Sequence, residues 1–266
     1  MISAVVGWTG VARLADSPRV RWGLTPAWSL WLAIAMLVAA TIGGMLGLRL
    51  AGLSPDEESL RVSVVAGLSA FALEMLMFGA IVRSVGKSPP DAPTQPSPLA
   101  QWSVARAAVL GAVALGVAWF PLQALGSIVA SLQAWLGGPT PPPTGHDTLA
   151  LLGEPGNVAL KAALSVHVIL LGPIAEELMF RGAVQQGLRN WGVSRWRSIG
   201  LAATLFALVH LGVLTEGAVL SGLVTLFALA VVLGWLAERT GRLIAPIVAH
   251  ACFNAVNLAI YFAGLP

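Results

Sequence analysis

The segment Glu176-Glu177-Leu178-Met179-Phe180-Arg181 sets two carboxylates side by side, with an arginine four residues beyond the second, in an apolar stretch just after Gly172-Pro173. On a helix Glu177 and Arg181 stand about 40° apart and one turn along the axis, so they can pair, whereas Glu176 points about 100° away from Glu177. One carboxylate is then neutralised and its neighbour is left for chemistry. Two later segments add imidazoles and an amide, Phe206-Ala207-Leu208-Val209-His210 and His250-Ala251-Cys252-Phe253-Asn254. The four-residue spacing of His250 and Asn254 puts both on one helical face. Peptide-bond hydrolysis asks for such groups: a base for the attacking water, donors for the tetrahedral oxyanion and a proton for the leaving amine. Removal from water makes a carboxylate a more competent base. Glu176, His210 and His250, with a fourth position open to water, are equally a zinc donor set. The His-Glu-x-x-His of soluble zinc proteases is absent.

The elements that must carry these residues are hydrophobic. Of 266 residues 57% are hydrophobic and only 10% are charged, too few charges to build a water-facing surface. The composition predicts an all-α, polytopic integral membrane helical bundle and excludes disordered, fibrous, disulfide-rich secreted and ordinary cytosolic classes. The net charge of +3 is not clustered, which argues against nucleic acid as a partner. The single cysteine, Cys252, cannot form an internal disulfide. Seven windows reach the roughly 20 apolar residues that a bilayer core requires: 27–48, 62–82, 104–124 (extending as far as 136 if the apolar run continues), 158–187, 199–214, 218–236 and 243–262.

Lys and Arg are retained on the cytoplasmic side of membranes. Twelve of the fifteen fall on one side, among them Arg13, Arg83, Arg106, Arg189 and Arg239, and Arg49, Arg61 and Lys161 fall on the other. This predicts a multi-pass protein of the cell membrane with a cytoplasmic N-terminus, anchored by its own spans and not by a cleaved signal. The chain divides into a two-span region with a Pro-rich cytoplasmic linker at Lys87–Pro98 (1–98), a third span with an outside loop at Gly137–Gly145 (99–157), and a segment holding the motifs (158–266). No internal repeat and no feature specifying an oligomeric state is present.

At 1.5 Å per residue, Glu176 lies about 20 Å from Arg189, His210 about 20 Å from Arg197, and His250 and Asn254 about 12 and 18 Å from Arg242. Convergence near mid-membrane is therefore allowed, provided that the fourth helix continues to about Leu188 and Arg181 stays buried against Glu177. His167, about 180° around the helix from Glu176, should stand apart unless Gly172-Pro173 turns it inward. Glu74 is an unexplained carboxylate in the second span. Cys252 reads as packing, Gly43-Gly44-Met45-Leu46-Gly47 as a close helix approach, and Trp22, Trp28, Trp31, Trp191 and Trp196 as interfacial anchors. Asn190–Arg197 is expected along the cytoplasmic surface.

The three motifs, Glu-Glu-x-x-x-Arg, Phe-x-x-x-His and His-x-x-x-Asn in successive spans, resemble those of the CPBP family, the CAAX-processing endopeptidases and bacteriocin-processing or Abi proteins. The resemblance covers about Val158–Phe262, with support from Leu233-Gly234-Trp235-Leu236-Ala237-Glu238-Arg239-Thr240-Gly241 before the last motif. It implies an intramembrane endopeptidase acting on a membrane-associated or lipidated peptide or protein, the eukaryotic relatives processing prenylated C-termini. It implies that Glu176 and His210 hold and deprotonate the water, that His250 and Asn254 donate to the oxyanion, and that Glu177 and Arg181 form an orienting pair, with Glu177 also able to share the base role. It favours hydrolysis without a cofactor over the zinc alternative on Glu176, His210 and His250. Two other classes compete: a proton-coupled transporter, whose intramembrane acids and imidazoles would form a relay and whose halves would repeat, and a catalytically silent membrane scaffold.

Overall fold

The structure, a computed structural model, describes residues 24–55, 59–85, 102–140, 147–153 and 156–264. Arg13, Arg19, Arg21, Trp22, Asp56 to Glu58, the Lys87–Pro98 linker, residues 141–146 of the outside loop and Glu154 lie outside these. All regular elements among the described residues are helices, and seven are long and apolar enough to cross a membrane: Pro26–Ala51, Leu60–Ser84, Val104–Trp135, Val158–Asn190, Arg195–Val213, Val219–Thr240 and Ile244–Phe262. The protein is a polytopic helical membrane bundle. A short helix, Asp147–Gly153, precedes the fourth span.

Local sequence explains where the spans begin and end. Thr25 caps the first through its side-chain oxygen, Pro26 occupies the first turn, where its missing N–H costs nothing, and Gly52 ends it at φ 67. Ser103 caps the third span by accepting from the Arg106 amide at 3.2 Å. That span runs on through Pro121 to Trp135, the longer of the two extents the sequence allows. The fifth starts earlier than its hydropathy indicates, at Arg195. Arg195 to Arg197 thus form its first turn instead of continuing a surface segment, because charged and aromatic residues are compatible with a helix end at the interface.

The first span packs on the second through the glycine stripe: a Cβ at Gly43 would fall 2.7 Å from the Ser69 carbonyl oxygen, so only hydrogen fits there. Spans one, four, five and six share a core of Leu32, Met36, Phe180, Ala183, Ala203, Phe206 and Ala230, against which Met75 and Phe78 of the second span pack. Spans three, six and seven share a second, with Leu115, Leu122, Leu229, Leu233, Ala249 and Phe253, and Cys252 packs at its edge.

Candidate active site

The fourth span is continuous from Val158 to Asn190, yet it is not one regular helix. It alternates α (Val158–Val166), π (His167–Leu171), α (Gly172–Glu177), π (Leu178–Gln185) and α (Gln186–Asn190). The Glu176-Glu177 pair thus sits at the end of a short α segment between two π segments, a backbone form common at functional sites. Pro173 explains the first. In the wider turn the Gly172 N–H donates to His167 O, and Pro173, one residue on, has no N–H to offer. The Val168 carbonyl thereby loses both backbone partners within reach, and Asn254 of the seventh span fills the vacancy, its Nδ2 donating to Val168 O at 2.7 Å.

Glu177 is fully buried, and one oxygen serves two partners: Arg181 donates to Oε1 at 2.8 Å and His250 Nδ1 lies 3.0 Å from the same atom. Arg181, also buried, donates its other terminal nitrogen to the Ala230 carbonyl of the sixth span at 3.2 Å, and its guanidinium lies 4.7 Å from the centroid of the Phe206 ring. An arginine-paired carboxylate is ionised and only accepts, so His250 carries a hydrogen on Nδ1 and turns Nε2 toward Glu176.

His210 is oriented by a different device. The fifth span's α-helix ends at Val209, and the His210 amide bonds back to Ala207 O at 3.1 Å in a tighter turn, leaving Phe206 O free. The His210 ring takes that carbonyl, with Nδ1 2.7 Å from it. A carbonyl only accepts, so Nδ1 is the N–H and Nε2 holds the lone pair. Phe206, fully buried, backs both imidazoles, with ring centroids 4.6 Å from His210 and 5.7 Å from His250.

Both Nε2 atoms therefore face one oxygen. Glu176 Oε2 stands 3.9 Å from His210 Nε2 and 3.7 Å from His250 Nε2, buried and without a hydrogen-bond partner among the described residues, while the Glu176 side chain as a whole is 30% exposed. The two carboxylates have separated roles: Glu177 is locked by Arg181 and His250, and Glu176 is open. All six sequence-selected residues lie in this neighbourhood, with Asn254 one turn beyond His250 and tied to the fourth span.

The structure adds three groups. Phe206 enters the motif only by its spacing from His210; its carbonyl and ring both act here. His167 packs on Gly67 of the second span, and Glu74, buried two turns along that span, stands on a helix packed against the Gly172–Glu177 segment. The 100° per residue that put His167 on the opposite face does not apply across a π segment, which changes the phase of everything before it. A carboxylate within a span was the only sequence signal for Glu74.

Among the described residues no group of three or more His, Cys, Asp or Glu side chains is arranged to hold a metal ion. No curated protein and no solved structure matches the chain. Residues 158–256, which include every residue of the site drawn from the fourth, fifth and seventh spans, match the family model described as type II CAAX prenyl endopeptidase Rce1-like, a similarity consistent with a membrane protease of the CPBP family.

Proposed function

We propose that this protein is an intramembrane endopeptidase that hydrolyses a peptide bond in a membrane-associated or lipidated peptide or protein, with Glu176 and His210 activating the water. The observation that carries this reading is the arrangement of acceptors. Glu176 Oε2 and the lone pair on His210 Nε2 are 3.9 Å apart, beyond direct hydrogen-bond range and suited to a single water that donates to both. As the water oxygen bonds to the scissile carbonyl carbon, its proton passes to this pair and the carbonyl oxygen becomes an oxyanion. His250 can donate from Nε2 only as an imidazolium, because Nδ1–H is already committed to Glu177. Asn254 spends one amide hydrogen on Val168 O and has a second for the oxyanion. Collapse of the intermediate breaks the C–N bond, and the proton held by the Glu176/His210 pair goes to the departing amine.

Cleavage of membrane-associated peptides by the purified protein, compared with Glu176→Gln, tests the reading. The expected result is loss of cleavage in the variant with unchanged folding; equal cleavage by both proteins overturns it, and solute flux without cleavage supports transport instead. We further propose that the reaction needs no metal. Activity retained in chelator, with no stoichiometric zinc in the active protein, is the expected outcome. Loss of activity in chelator restored by zinc would assign Glu176, His210 and His250 as ligands.

A further inference from the structure

The second span presents one more polar face to the site. Gly67 and Glu74 are seven residues apart, two helical turns, and so share a face. At Gly67 the His167 ring packs directly on the backbone: a Cβ there would fall 2.9 Å from His167 Nε2. Two turns along, Glu74 is 9% exposed and, among the described residues, has neither a hydrogen bond nor an ion pair. Its helix packs on the Gly172–Glu177 segment that carries Glu176. The arginines of its own helix are out of reach, Arg61 about 20 Å and Arg83 about 14 Å along the axis.

The pairing around the site is incomplete. Of the carboxyl groups of Glu74, Glu176 and Glu177, only that of Glu177 has a guanidinium partner, Arg181, so Glu74 and Glu176 stand without a lysine or arginine of their own among the described residues. The imidazoles of His167, His210 and His250 are not permanent charges, and His210 must be neutral to accept the water's proton. In a low-dielectric interior a carboxyl is held in its ionised form by a cation that fits it directly.

Resting on the endopeptidase reading above, we propose that Glu74 forms a subsite for a basic side chain of the substrate, a lysine or arginine close in sequence to the bond that Glu176 addresses. A cation delivered with the substrate would give Glu74 a partner only when the peptide is in place, which makes Glu74 a specificity-determining residue. His167 of the fourth span, packed on Gly67 with Nδ1 buried and unpartnered, stands two turns along the same face of the second span.

The test uses acylated peptides in which one position at a time is lysine or its uncharged analogue norleucine, assayed with the full-length protein in lipid vesicles. For the wild type, kcat/KM should favour lysine over norleucine about tenfold or more at one or two positions, as expected for a desolvated charge pair. In Glu74→Gln that ratio should fall to about one, whatever the absolute rate, and Glu74→Asp should keep part of it. A wild-type ratio of one at every position overturns the proposal without any variant. So does a Glu74→Gln protein with the wild-type ratio and a displaced pH profile for all peptides alike, which would assign Glu74 to proton sharing with Glu176. Direct binding of the same labelled peptides separates the two readings. Lysine-dependent binding that Glu74→Gln abolishes, without cleavage, keeps the subsite and removes the endopeptidase; cleavage with charge-independent binding does the reverse.

Discussion

Arg181 and Glu177 illustrate how much one buried pair has to do. The arginine neutralises a carboxylate that no water reaches, holds the sixth span through Ala230, and lies against Phe206 beneath both imidazoles. Arg181→Ala leaves Glu177 charged and uncompensated, and should cost about 3–5 kcal/mol of stability, read by denaturant unfolding in detergent. Arg181→Lys should recover only part of this, because an ammonium cannot reach Oε1 and the Ala230 carbonyl with the fork that a guanidinium supplies. Asn254 has a double role that the same pair of measurements can divide. As an oxyanion donor its removal in Asn254→Ala should lower kcat by roughly 10²–10³. As the partner of Val168 O its removal should also destabilise by about 1–3 kcal/mol, since a buried acceptor is left unpaired. Destabilisation with kcat unchanged would restrict Asn254 to holding the fourth and seventh spans together.

At the scale of elements, positioning rests on close approaches and on irregular backbone. Gly111 of the third span meets the seventh so tightly that a Cβ would fall 2.2 Å from the Ala245 carbonyl oxygen. Backbone cannot rotate out of the way as a side-chain tip does, so Gly111→Ala must push apart the spans that bring His250 and Asn254 to the site. The expected outcome is an unfolding free energy lower by about 1–3 kcal/mol together with lost activity. Pro173→Ala probes the π segment. It supplies the missing N–H and removes the reason for the wide turn, so the fourth span should relax toward a regular α-helix and Val168 O should regain a backbone partner. Asn254 then loses its anchor and the His167 side changes phase relative to Glu176. Slower turnover with undiminished or raised thermal stability would mark the proline as a feature kept for the site.

For the whole molecule, the three spans before the match at residues 158–256 are not spectators, because the first shares a core with Phe180 and Phe206, the second carries Glu74 and the third packs on the seventh. The seven-span arrangement and the excess of basic residues on one side predict a cytoplasmic N-terminus and a C-terminus on the opposite face. A C-terminal reporter that becomes active only outside the cytoplasm should be active, and one active only inside should be silent; the opposite pattern would invert the orientation. Trp28, Trp31, Trp191 and Trp196 are all exposed at span ends, where indoles suit the headgroup layer.

Much of the architecture was legible because hydropathy is additive along the chain: seven long apolar runs and scarce charges fix membrane helices whatever their neighbours do. Fixed spacing made Glu177–Arg181 and His250–Asn254 legible too, since four residues on a helix determine a shared face. What the sequence alone could not supply was phase and partnership. The π segments around Glu176-Glu177 break the 100° rule that separated His167 from the site, and they arise from where backbone N–H groups find acceptors, which periodicity does not encode. The sharing of Glu177 Oε1 by Arg181 and His250, the capture of Phe206 O by His210, and the packing of His167 on Gly67 are contacts between helices or at their ends. Composition and spacing determined that this chain is a membrane bundle carrying an acid, imidazoles and an amide; only packing decided which carboxylate is locked, which is open, and what surrounds it.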